Sequence, residues 1–200
     1  MVRIMSAPHR KSNQAARSRL SAADWEVAAL DLIAEDGFSS VNVERLARRL
    51  NVTKGSFYWH FGSRDELLAA ALKRWEDEDI ATFVRSIEII TNPDERLRAL
   101  FRRTLDKLKS HWIFSALFAE SGHALVRPVM ERVANRRMSY LTDGFISLGM
   151  SQADAVHRAR ITYYSYVGFM QSTRYFKTAR LKDQAELDEY VNHVIETLIP

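Results

Sequence analysis

Residues 43–68, VERLARRLNVTKGSFYWHFGSRDELL, decide how this chain folds. Asn42 is a good N-cap, and Leu46, Ala47 and Leu50 give the helix behind it one apolar face. Asn51 accepts left-handed backbone better than most residues, so it can end that helix and turn the chain. Thr53 is expected to cap a second helix running to about Phe61. Ser63 and Glu66 form an S-x-x-E capping box that opens a long helix continuing to about Ile90. Two short helices around a tight turn form the geometry that sets a second helix into the major groove of DNA.

At about 100° per residue, Phe57 and Phe61 point one way and suit a domain core. Gly55 and Trp59 face the other way, flanked by Ser56 and Tyr58, with Lys54 and His60 at the borders. Tyr, Ser and His donate hydrogen bonds, Lys supplies charge, and glycine admits a close sugar-phosphate backbone. The candidate DNA-binding set is Thr53, Lys54, Gly55, Ser56, Tyr58, Trp59 and His60, with Asn42 and Arg64 beside it. A buried aromatic helix is the competing reading of YWHF, but it explains neither the nearby caps nor the Lys-Gly-Ser opening.

The pattern L-A-x-x-L-x-V-T-K-G-S-F-Y-W-H-F-x-S-R-D-E-L-L resembles the N-terminal DNA-binding domain of the TetR family of transcriptional regulators. The resemblance covers roughly residues 22–82. It departs at Asn51, where the family usually has glycine, and at Arg64, where lysine is commoner. Val41 and Asn42 replace a Thr-rich pair, which removes a phosphate contact from a hydroxyl at position 41. The resemblance implies a dimeric, ligand-responsive regulator, usually a repressor, bound to double-stranded DNA at an inverted-repeat operator.

The 200 residues are 46% hydrophobic, with seven glycines, four prolines and no cysteine. That composition suits an all-α globular chain and excludes disulfides, thiolate metal sites and cysteine nucleophiles. No apolar run approaches the roughly 18 residues of a membrane helix. The first residues lack the apolar stretch of a signal peptide, so a cytoplasmic location is expected. Arg3, Arg10, Lys11, Arg17 and Arg19 precede any acid, leaving 24 basic against 25 acidic residues in the rest of the chain. Residues 1–21 thus read as a basic flexible arm that can follow DNA phosphates or enter the minor groove, although Met5 is an alternative start.

The expected organisation is this arm, a DNA-binding domain over 22–82, and a helical effector-binding and dimerisation domain over 83–200, with about nine helices in total. Asn92-Pro93 restarts a helix after the long one. Further helices are expected at about 93–109, 111–121, 128–148, 152–178 and 182–198, punctuated by Gly122, Gly149 and the Ser151 cap. On family grounds the last two form the dimer interface, through Val156, Ala159, Tyr164, Val167, Gly168, Gln171, Leu187, Val191, Val194 and Leu198.

A ligand pocket is sought where aromatic and polar groups mix. His111, Trp112, Phe114, Phe118, Glu120 and His123 lie on one stretch, and Tyr163, Tyr166, Phe169, Met170 and Arg174 on another. The expected effector is a small hydrophobic or aromatic molecule. No cofactor or metal is expected, since the single E-x-x-H, Glu120 and His123, lacks the second motif a di-iron site needs. Phosphate-loop, dinucleotide and nucleophile-elbow motifs are absent, so no catalytic residue is assigned. The remaining alternative is a protein-interaction module that uses the helix-turn-helix fold without DNA.

Overall fold

The computed structural model describes residues 20–83, 85–105, 108–176 and 180–200. The basic arm expected over residues 1–21 lies almost entirely outside them. Every regular element among the described residues is helical. Helix α1 (Ala22–Asp36) begins at a reciprocal capping box: the Asp24 amide donates to Ser21 Oγ and the Ser21 amide to Asp24 Oδ2. Trp25, Ala28, Ala29, Leu32 and Ile33 recur at helical spacing and are buried. Gly37 ends the helix at φ +90°, a value that a Cβ would strain, and a 3-10 turn over Phe38–Ser40 follows.

Helix α2 (Val43–Arg49) is capped by Asn42, whose Oδ1 accepts from the Arg45 amide at 2.8 Å. Asn51 sits at φ +53° and turns the chain as expected of its short polar side chain. The second helix is shorter than expected: α3 spans only Lys54–Phe57, and residues 58–60 continue as a turn. Thr53 occupies its N-cap position without a side-chain capping bond. Before α4 (Arg64–Phe83), Ser63 Oγ accepts from the Glu66 amide, while the Glu66 carboxylate reaches back to the Gly62 amide at 2.7 Å. The box is therefore offset by one residue from the reciprocal form expected.

A short segment α5 (Arg85–Glu88) precedes α6 (Pro93–Leu105), whose start is capped by Asn92 Oδ1 accepting from the Asp94 and Glu95 amides. The remaining helices are α7 (Leu108–Ala119), α8 (Val126–Ser147), α9 (Gln152–Tyr175) and α10 (Gln184–Leu198). The last begins two residues later than expected because Asp183 takes the cap. Gly149 turns the chain at φ +90° between α8 and α9.

Two apolar cores result. One joins α1, α2, α3 and α4 to Ile113, Phe114, Ala116 and Leu117 of α7 and to Val126–Val133 of α8. The other joins Leu97 and Phe101 of α6 to the C-terminal half of α8, α9 and α10. The first core crosses the division expected at residue 82, so the helix-turn-helix shares its interior with two later helices. Tyr166 and Val167 of α9 pack against both cores.

Candidate nucleic-acid interface

The helix-turn-helix presents one face outward because its other face is anchored. Phe57 is fully buried, edge-on to Trp25 at 5.4 Å between centroids and stacked on Phe61 at 5.8 Å. Those contacts fix the roll of α3. The residues on the opposite side then project into solvent, with Trp59 85% exposed and Tyr58 58% exposed. Thr53, Lys54 and Gly55 are exposed beside them, and Ser56 and His60 are half-buried. A methyl group at Gly55 would meet nothing nearer than Thr53 Oγ1, at 3.7 Å, so the fold itself does not require glycine there.

Three members of the expected set are held within the protein. The Lys54 ammonium pairs with the Glu44 carboxylate of α2. This hydrogen bond raises the lysine above its ordinary value and lowers the glutamate. Arg64 is more firmly committed: its Nε donates to the Val41 carbonyl at 2.6 Å, and its guanidinium lies 5.8 Å from the Phe38 ring centroid. Arg64 thus braces the start of α4 against the 3-10 turn. Asn42 likewise spends its carbonyl oxygen on the α2 cap. Arg49 closes the back of α2 through Glu35 at 2.7 Å and Asp31 at 3.6 Å.

The residues expected to line one effector pocket separate into several settings. Phe114 lies in the first core and Tyr163 in the second, and Met170 is buried. His111 is buried edge-on to Tyr166, at 5.9 Å between centroids. Phe169 stacks on Tyr190 of α10 at 4.9 Å, and Phe118 is partly exposed. Glu120 accepts from the Ser39 hydroxyl, and His123 lies edge-on to Phe38, so both meet the 3-10 turn that precedes the helix-turn-helix. Trp112 and Arg174 share a groove of about 590 Å³ that also includes Asp31, Ala34 and Tyr175. Arg174 crosses it, donating to the carbonyls of Trp112 and Ala34.

The expected dimer residues also divide. Ala159, Val191 and Leu198 are buried in this chain's own second core, and Leu187, Val194 and Val167 pack against it. Gln171 is engaged with Ser115 of α7. Tyr164 and Gly168 are exposed, with Ile161 one turn before Tyr164, whereas Val156 is half-buried.

Sequence reasoning missed the ion pairs that join α4 to α8. Glu76 is buried and receives two hydrogen bonds from Arg132, at 2.9 and 2.7 Å, and one from Arg136 at 3.2 Å. Asp79 receives Arg137 at 2.6 Å, and the Arg137 guanidinium lies 4.8 Å from the Phe114 centroid and 5.4 Å from that of Tyr166. The only sequence signal was spacing: acids three apart on one helix and arginines four apart on another.

Residues 27–71 match the family described as bacterial regulatory proteins, tetR family. Over that segment the chain is similar to the tetR family. Among curated relatives, the HTH-type transcriptional repressor KstR2 of Mycobacterium tuberculosis is 26% identical over 112 residues, covering 56% of this chain and 52% of KstR2. The uncharacterised HTH-type regulator YuxN of Bacillus subtilis is 35% identical over 80 residues, 40% of this chain and 26% of YuxN. The chain thus spans about half or less of the length of these two relatives. The likeness of fold extends further. A transcriptional regulator from Saccharomonospora viridis, solved in complex with choline, superposes with a TM-score of 0.74 at 20% identity, covering 88% of this chain and 93% of that one. No helix among the described residues is long and apolar enough to cross a membrane, and no cluster of His, Cys, Asp or Glu there is suited to a metal.

Proposed function

We propose that this chain is a sequence-specific DNA-binding transcriptional regulator, a cytoplasmic homodimeric repressor that a small hydrophobic or aromatic ligand releases from its operator. The observation that carries this reading is the open face of Thr53, Lys54, Gly55, Tyr58 and Trp59 over a buried Phe57. An indole 85% exposed is a poor solvent group, and beside a lysine and a glycine it suits a phosphate-and-base surface. Repressor and ligand-bound regulator are descriptions carried by two similar proteins, KstR2 and the choline complex, and they support the regulatory half of the proposal.

One recognition helix per chain calls for a two-fold dimer. Its two helices would enter major grooves about one turn, roughly 34–36 Å, apart on an inverted repeat. The proposed pairing face of α9 is the exposed stripe of Ile161, Tyr164 and Gly168, since the inner residues already serve the monomer. The proposed effector groove is the one under Trp112 and Arg174, because it joins α1 of the DNA-binding part to α7 and α9.

Selection of bound sequences from random DNA tests the reading, together with the mass of the free protein in solution. An inverted repeat bound by a species of twice 23.1 kDa is expected. A monomer bound to an asymmetric site, or binding that ignores salt, would overturn it. Salt-independent binding would favour a protein-interaction module, since phosphate contacts impose a steep salt dependence.

A further inference from the structure

A second groove, of about 500 Å³, runs between α4 and α8 and does not include any residue of the DNA face. Its apolar wall is Leu72, Leu125, Pro128 and Val129, and its charged end holds Glu76, Arg132 and Arg136. A volume of this order suits a small organic ligand, and an apolar wall with a few convergent polar groups is what such ligands bind.

The charged end is unbalanced. Two guanidiniums share the single Glu76 carboxylate, while Lys73 and Asp77 on the rim pair with each other at 2.8 Å. Arg132 takes both Glu76 oxygens, leaving Arg136 one hydrogen bond through Nη2 at 3.2 Å. Arg136 Nη1 is buried without a hydrogen-bond partner. A buried donor left unsatisfied costs free energy, so a carboxylate that displaced Glu76 and let the Arg136 guanidinium turn toward the groove would complete its bonding.

We propose that this groove binds a small amphipathic carboxylate, its apolar part along Leu72 and Val129 and its carboxylate on Arg136 in competition with Glu76. The inference goes beyond the regulatory reading and does not depend on DNA binding, because it concerns the ligand and the groove alone. Occupancy would loosen the bridge from Glu76 to α8, and α4 is the helix that Arg64 begins.

Isothermal titration of the full chain with octanoate and phenylacetate, and with octanol and phenylethanol as neutral controls, tests it without DNA. Both carboxylates are expected to bind, and the alcohols to bind at least about tenfold more weakly, the worth of a charge-assisted bond. Two substitutions should act in opposite directions. Arg136→Met should weaken carboxylate binding about tenfold, and Glu76→Gln should strengthen it by removing the competitor. Val129→Trp, which fills the groove while leaving every charge in place, should abolish it. Absence of binding, equal binding of acid and alcohol, or insensitivity to Val129→Trp would each overturn the proposal. So would a loss of affinity on Glu76→Gln.

Discussion

Glu44 of α2 holds the ammonium of Lys54, the first residue of α3, across the face proposed to meet DNA. Both side chains are more than half exposed, so water screens the pair and its contribution to stability is small. Its consequence for binding is larger, because Lys54 must exchange this carboxylate for a phosphate. Glu44→Gln should therefore tighten operator binding a few-fold and leave the melting temperature unchanged. Lys54→Ala should lower the salt slope by about one unit per chain. Titration of labelled operator at several salt concentrations checks both.

Tyr58 and Trp59 should separate binding from stability. Trp59→Ala and Tyr58→Ala are expected to weaken DNA binding with little change in melting temperature, since both side chains are exposed. For Tyr58, matched and mismatched operators should be affected alike if its contact is to phosphate. Phe57→Ala should do the reverse in cause: its fully buried ring supports Trp25 and Phe61, and its loss should cost about 3–5 kcal/mol. Paired thermal melts and binding curves read the difference.

Gly55 provides a sharper steric test. A Cβ there meets only Thr53 Oγ1 at 3.7 Å, an ordinary contact. Gly55→Leu should leave the fold and its melting temperature nearly unchanged while abolishing docking on the operator. If Gly55→Leu binds DNA normally, the close approach of a sugar-phosphate backbone to this residue is wrong.

The bridge from Glu76 to α8 should be visible in acid. The Arg132 hydrogen bonds hold the Glu76 carboxyl below its ordinary value of 4.5 despite the opposing effect of burial. A depressed folded value means that the stabilisation is complete above the ordinary value and is lost as pH falls through the folded one. Glu76→Gln should flatten the acid limb of the stability curve, as read by denaturant unfolding between neutral pH and about pH 3. The deeper pair is less forgiving. Asp79→Ala removes a carboxylate from the buried Arg137 guanidinium, at a cost of about 3 kcal/mol as read by denaturant unfolding.

The elements read from the sequence were those set by neighbours along the chain. Asn42 and Ser151 cap their helices because an N-cap bond closes within three residues. Asn51 adopts φ +53° through its own backbone preference, and Phe57 and Phe61 share a face through the helical period. Where neighbours conflicted, the reading slipped: α3 stops at Phe57, and Glu66 bonds Gly62 in place of Ser63.

The rest was decided by partners remote in sequence, which no local pattern encodes. Apolar stripes on α9 and α10 announced burial but could not say against what, and Ala159, Val191 and Leu198 turned out to fill this chain's own core. Arg174 is aromatic-lined and polar in sequence context, yet its role follows from Ala34, 140 residues away. Arg64 and Lys54 both read as cations for DNA, and only tertiary structure separated them. One is bonded to a backbone carbonyl and braced against a ring; the other holds an exposed carboxylate that a phosphate can replace. Helical period and capping act over a few residues, whereas the pairing of charges and the filling of cavities depend on which faces meet once the helices pack.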